Sequence, residues 1–177
     1  MKSKFIAISA VSASFVAIVL IIGAYISFFD VYALLLSSVF VILPLYFNSF
    51  KGSFLCYLAG GVVALLCGMG NITSIVFPGY FVFFGLYPIV KFIAINKKFN
   101  KYIFFVLGLL WCVASSYGLF FYYTKLLMLP LNDFPDFIID NIYYFVGAFA
   151  VVFYFLYDKT MFFVKILEDK YLKRIIR

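Results

Sequence analysis

Polar and aromatic side chains that could bind a ligand collect near the ends of several apolar segments. They are Asn71, Tyr80, Tyr123, Lys125, Asn141 and Tyr144. Asn141 and Tyr144 fall on one face of a helix, because residues three apart are neighbours there. Flat rings with a few hydrogen-bonding groups are typical of pockets for small heteroaromatic molecules. Tyrosine also populates membrane interfaces without any ligand, so interfacial packing is the alternative for these residues.

Few residues of this chain are candidates for catalysis or metal binding. The 177 residues include no His, which excludes His-based metal sites and Ser-His-Asp triads. The sequence also lacks a glycine-rich phosphate loop. Asp133, Asp136 and Asp140 form the one concentration of acid, and we favour capping of the next helix by Asp136 or Asp133 over ligand binding. We therefore expect a protein that is not an enzyme and that uses no cofactor and no metal.

The elements that position these residues must lie in lipid. The chain is 67% hydrophobic and 12% charged, whereas soluble proteins are about 45–50% apolar and about 25% charged. Because so few charges cannot cover a soluble surface, the excess apolar surface must face lipid. The composition predicts an all-α integral membrane protein of the cell membrane, and we expect a bacterial source.

Six apolar segments are long enough, or nearly so, to cross about 30 Å of hydrocarbon. The predicted spans are Phe5–Phe29, Val31–Phe47, Phe54–Met69, Ile75–Ile95, Tyr102–Tyr123 and Phe137–Tyr157. Only Asp30 interrupts the first two, and an unbroken helix of that length would be about twice the membrane thickness. We therefore expect the chain to reverse between Gly23 and Asp30.

The basic residues predict the orientation. With the N-terminus in the cytoplasm, Lys125 is the only one of the 14 Lys and Arg residues that falls on the outer side. This distribution follows the positive-inside rule and requires an even number of spans, so both termini are expected to be cytoplasmic. The net charge of +7 is then a topology signal and an attraction to anionic lipid at the inner leaflet, with no need for nucleic acid.

The chain divides into a six-helix bundle over residues 1–157 and a basic tail over residues 158–177. Val164, Leu167, Tyr171 and Ile175 recur at helical spacing in the tail, with cations over much of the remainder. The pattern predicts an amphipathic helix on the inner leaflet or an extension of the sixth helix. Lipid anchoring is favoured over docking of a cytoplasmic partner.

Small residues recur every four positions in two of the predicted spans. The stripes are Ser9, Ala13 and Ala17 in the first span and Gly60, Ala64 and Gly68 in the third. Small residues let helices approach closely in lipid, where association depends on van der Waals contact. We favour packing within the bundle for the third span, and we consider packing and docking to a separate subunit equally for the first. Pro44 and Pro88 lie inside spans and predict kinks.

The six spans, the inner termini and the basic start followed by an alanine-rich first helix resemble the substrate-binding S components of energy-coupling factor (ECF) transporters. Ala13 and Ala17, preceded by Ser9, match the small-xxx-small motif of that family, and the segment Tyr80 to Lys91 is similar to stretches associated with the same fold. The resemblance implies docking of this face on a membrane T component, two cytoplasmic ATPases, and capture of a vitamin-like solute at the outer face. No vitamin-specific residues are recognisable, so the solute is not assigned.

A structural subunit is the alternative from a different class. The small multispan proteins of the rod-shape elongation complex have a similar size and helix count, and they are scaffolds without a solute site. A ligand-holding pocket at the outer end of the bundle distinguishes an S component from such a scaffold.

Overall fold

The computed structural model describes residues 2–47, 49–68, 71, 74–97, 99–127, 137, 139 and 141–175. Within these ranges the chain is all-α and forms six helices, the number that the sequence predicts. Five of them are long and apolar enough to cross a membrane, and the second is shorter. Helix length and hydropathy therefore indicate a multi-pass membrane protein.

Three helices form the first half of the chain. They are α1 (Lys2–Tyr25), α2 (Asp30–Tyr46) and α3 (Phe50–Cys67). A short 3-10 turn over Ser27–Phe29 joins α1 to α2, so the chain reverses within the predicted stretch. The hydroxyl of Ser49 caps α3 by accepting the Gly52 N–H at 3.1 Å, which fixes where that helix begins.

The second half begins with a span that is not a uniform helix. This fourth span, Val76–Asn96, comprises α4 (Val76–Gly79), a π-helical turn (Tyr80–Phe84) and α5 (Leu86–Asn96). It is followed by α6 (Lys101–Phe121), which ends in a second π-helical turn (Tyr122–Leu126). The Asn100 side chain caps α6 by accepting the Tyr102 N–H at 3.0 Å.

The last helix, α7, runs from Ile142 to Ile175 without a break at residue 158. The tail is therefore a continuation of the sixth helix, which is the second of the two structures expected for it. The predicted sixth span began at Phe137, before the observed start of α7. Several residues used in the sequence analysis lie outside the described ranges: Met69, Asp133, Asp136 and Asp140.

The fourth span lies at the centre of the bundle. In its most apolar stretch 61% of the residues are buried, against 17–39% in the other four long spans. It contacts α1, α2, α3 and α6, while α1, α2 and α3 pack on one another and α6 packs on α7. The fourth span thus joins the three-helix half to the α6–α7 pair.

Small residues allow α1 and α3 to pack closely, as predicted for the third span. A Cβ atom on Gly60 would lie 2.7 Å from Val16 and 3.0 Å from the Ala13 carbonyl, and Ala64 on the same stripe is fully buried. Gly68 meets the ring of Phe77. The stripe in α3 is therefore a packing surface within the bundle.

A π-helical turn and a proline interrupt the backbone hydrogen bonds of the fourth span. The Gly85 N–H bonds to the Tyr80 carbonyl at 2.8 Å, five residues back, so it is not available to the Phe81 carbonyl. The Tyr57 hydroxyl of α3 donates to the Phe81 carbonyl at 2.9 Å instead. A neighbouring helix thus supplies the donor that the π-helical turn removes.

Pro88 leaves a second carbonyl without its helical donor. Because proline has no N–H, the Phe84 carbonyl cannot receive the usual bond from four residues ahead. The Ser38 hydroxyl of α2 lies 2.8 Å from both the Phe84 carbonyl and the Leu34 carbonyl of its own helix, so its one proton is shared between them, and Ser38 in turn accepts from the Tyr157 hydroxyl at 2.9 Å. The Ser38 side chain therefore links α2, the fourth span and α7.

Aromatic rings fill the space between the fourth span and α7. Phe83 stacks on Tyr87 with ring centroids 5.0 Å apart, and Phe84 meets Tyr157 edge to face at 5.2 Å. Tyr87 meets Tyr154 edge to face at 5.8 Å. These are favourable geometries for aromatic pairs, and they add to the packing that associates helices in lipid.

The stability lost in Ser38→Ala should depend on whether residue 88 is proline. We expect Ser38→Ala to lower the free energy of unfolding by about 1–2 kcal/mol, because it leaves the Phe84 carbonyl without a donor. In a Pro88→Ala background the new N–H can bond to that carbonyl, so Ser38→Ala should cost less. Reversible unfolding in mixed micelles measures this double-mutant cycle.

Ser116→Ala is the matched control, since the Ser116 hydroxyl bonds to the Cys112 carbonyl within its own helix. Its cost should be the same in the wild-type and Pro88→Ala backgrounds. An equal cost of Ser38→Ala in both backgrounds would show that Ser38 does not compensate for Pro88.

Candidate functional site

Tyr80, one of the predicted ligand-binding residues, is a core residue. Its side chain is fully buried, and its hydroxyl donates to the Tyr57 carbonyl at 3.1 Å. The two rings pack with centroids 5.5 Å apart, and Gly61 leaves the room that the Tyr80 ring occupies. In this arrangement Tyr80 packs the fourth span against α3.

Of the other predicted binding residues, two use their side-chain amides in hydrogen bonds and two are exposed. The Asn71 amide donates to the Ala24 carbonyl, and the Asn141 amide donates to the Phe137 carbonyl at 3.1 Å. The Tyr144 side chain is 80% exposed, and Lys125 is also exposed. Their role in binding stays a prediction.

Tyr123 lies near Asp30, an acidic residue that was not among the predicted site residues. It is half-buried and within electrostatic range of Asp30, the first residue of α2. The Oδ1 atom of Asp30 is buried and has no hydrogen-bond partner in the described part of the chain. The available signal was that Asp30 alone interrupts an apolar stretch spanning two helices. An ionisable group in such a setting is a candidate functional residue.

A second polar cluster lies where the fourth span meets α7. The Lys91 ammonium donates to the Asp158 carboxylate at 2.5 Å and to the Asp158 carbonyl at 2.8 Å. The Tyr87 hydroxyl donates to the same carboxylate at 2.5 Å. The Tyr154 hydroxyl lies 3.1 Å from that of Tyr87 and also donates to the Phe105 carbonyl of α6 at 3.0 Å.

This polar cluster joins three helices through an ion pair and tyrosine hydrogen bonds. The side chains of Lys91 and Asp158 are only 10% and 25% exposed, so water screens the pair weakly. A charge so placed needs a partner, because burying an unpaired ammonium is costly. The sequence put Lys91 among the inner cations but gave no partner, since Asp158 lies 67 residues further on. These contacts hold the fourth span and α7 in one alignment along their axes.

The predicted docking residues Ser9, Ala13 and Ala17 turn toward α3. Ala17 is buried, and Ser9 and Ala13 are half-buried where Gly52 and Gly60 of α3 approach them. Intramolecular packing thus uses much of this face. Docking of a separate subunit on it stays a prediction.

The described residues include no group of three or more Cys, Asp or Glu residues that could hold a metal ion. Cys56 and Cys112 are buried, Cys67 is exposed, and all three are free thiols.

No protein-family model, curated protein or solved structure matches the chain.

Removing one member of the ion pair should cost more than removing an exposed charge. We expect Lys91→Met or Asp158→Asn to lower the free energy of unfolding by about 2–3 kcal/mol, below the ~3–5 kcal/mol of a fully buried pair because Asp158 is partly exposed. Thermal unfolding in detergent gives the comparison. Lys159→Gln is the control, since Lys159 is exposed on the same helix, and it should change stability by less than about 0.5 kcal/mol.

The double variant Lys91→Met/Asp158→Asn should be more stable than the sum of the two single losses predicts, because neither charge is then left alone. Strictly additive losses would show that the two side chains do not form a pair.

Proposed function

We propose that the protein is a non-catalytic membrane subunit that captures a small polar solute at its outer end for uptake driven by a partner. The observation that carries the proposal is the buried Oδ1 atom of Asp30, which has no hydrogen-bond partner in the described residues. A shielded carboxylate oxygen without a donor is costly, and a solute N–H or O–H group would relieve that cost. The predicted topology puts this end of the bundle outside.

The chemistry around Asp30 indicates the class of solute. Tyr123 adds an aromatic ring and a hydroxyl within electrostatic range of the carboxylate. A flat molecule with a hydrogen-bond donor or a positive charge would satisfy the carboxylate and could pack beside this ring. A water-soluble vitamin with an amino or amidine-like group belongs to this class.

The energy for uptake would come from other polypeptides. The sequence has no phosphate-binding loop, so ATP hydrolysis requires a separate protein. The resemblance to S components supplies the candidate partners, a membrane T component and two cytoplasmic ATPases. Vitamin uptake by such an assembly is the proposed process.

A structural subunit of a membrane complex is the second candidate, and the buried tyrosines favour it. The hydroxyls of Tyr80 and Tyr57 donate to backbone carbonyls of facing helices and so join the helices to one another. A bundle built in this way is a stable scaffold even without a solute.

Thermal unfolding with a panel of water-soluble vitamins, backed by native mass spectrometry of co-purified ligand, separates the two functions. A solute that binds should raise the unfolding temperature of the wild-type protein. Asp30→Asn should weaken the binding of that solute by tenfold or more, because a hydrogen bond to a charged group contributes about 1.5–3 kcal/mol. The ligand-free Asp30→Asn protein should be at least as stable as the wild type, since the unpartnered charge is gone.

Tyr32→Phe, an exposed change close by on α2, is the control and should leave binding intact. Absence of any bound solute, together with a loss of stability in Asp30→Asn, would contradict solute capture and favour the scaffold.

A further inference from the structure

A furrow runs between the N-terminal halves of α1 and α3. It has a volume of about 330 Å³, and the described residues that line it are mostly apolar or small. Phe5 and Ile6 line it from α1, and Leu55 and Ala59 line it from α3. The two helices run parallel here, since Gly52 meets Ser9 and Gly60 meets Val16 further along.

The furrow forms because small residues meet where α1 and α3 touch, and larger side chains stand on either side of them. Ser9 and Gly52 approach closely at its floor. Ile6 and Leu55 stand at its sides with 70% and 61% of their surfaces exposed. The stretch of α1 from Phe5 to Ala13 rises about 12 Å, which is most of the depth of one leaflet. The length and lining suit an extended hydrocarbon chain.

The mouth of the furrow is positively charged. Lys51 is exposed there, next to the Ser49 hydroxyl that caps α3. In the sequence, Lys2 and Lys4 precede Phe5, the first lining residue of α1. The described lining residues include no Asp or Glu. A lipid phosphate group suits this end of the furrow, because cations beside a membrane-facing recess attract anionic headgroups.

We propose that the furrow binds one anionic phospholipid, with its headgroup phosphate at Lys51 and one acyl chain along Ile6, Leu55 and Ala59. A water-soluble ligand fits poorly, because the recess is apolar and lies on the lipid-facing side of two membrane-spanning helices. A partner's transmembrane helix, about 10 Å across, would rest on Ile6 and Leu55 without entering the recess. The lipid site is independent of solute capture at the other end of the bundle.

Native mass spectrometry with added dioleoyl phosphatidylglycerol or dioleoyl phosphatidylcholine tests the site. The wild-type protein should retain one phosphatidylglycerol molecule at activation energies that remove phosphatidylcholine. Lys51→Gln should weaken phosphatidylglycerol binding about fivefold, the factor expected for one cation near a lipid surface. Ala59→Trp should abolish retention of either lipid, because the indole fills the furrow.

Two controls match these variants. Lys159→Gln removes an exposed cation from α7, and Ala114→Trp adds an indole at an exposed position of α6, so neither should change lipid retention. Circular dichroism and size-exclusion chromatography check that each variant is folded. Lys51→Gln changes only an exposed side chain, so it keeps the test open if Ala59→Trp does not fold.

Equal retention of the two lipids, or retention that Lys51→Gln leaves unchanged in a folded protein, would overturn the proposal. Undiminished retention of phosphatidylglycerol in folded Ala59→Trp would also overturn it, since the lipid would then sit elsewhere.

Discussion

A backbone carbonyl in the hydrocarbon core needs a hydrogen-bond donor from the protein, because lipid offers none. In the fourth span two carbonyls lack a donor from their own helix: that of Phe81, inside the π-helical turn, and that of Phe84, four residues before Pro88. Hydroxyl groups of Tyr57 and Ser38, from α3 and α2, satisfy the two carbonyls. The interruptions therefore bind the central span to its neighbours, and the position of the other helices follows from them.

Tyrosine is suited to this task only where a glycine gives its ring room. A Cβ atom on Gly85 would collide with the Tyr57 ring, and one on Gly108 would collide with the Tyr154 hydroxyl. The ring then packs as a large apolar group while its hydroxyl reaches a carbonyl of the facing helix, as Tyr154 does at Phe105. Asp30 is not used in this way, since its Oδ1 atom has no hydrogen-bond partner in the described part of the chain, and it is a candidate for solute binding.

The sequence was sufficient for the class of protein, the number of helices and most of their limits, because apolar length is set by membrane thickness. The packing role of Gly60 was also predictable from its four-residue spacing. The pairing of Lys91 with Asp158 was not, because it joins residues distant in sequence and depends on how α7 is rotated. The burial of Tyr80 was missed for the same reason: a position near a helix end does not reveal which face meets α3.

The most direct test of hydroxyl-to-carbonyl bonding as the constraint on this fold compares two triple variants by thermal unfolding in detergent. One replaces Tyr57, Tyr80 and Tyr154 by Phe, and the other replaces the exposed Tyr25, Tyr32 and Tyr144 by Phe. The interior triple should lose about 2 kcal/mol of stability, since each bond between membrane helices contributes about 0.6 kcal/mol or somewhat more. The exposed triple should unfold at the wild-type temperature. Equal unfolding temperatures for the two triples would contradict the account.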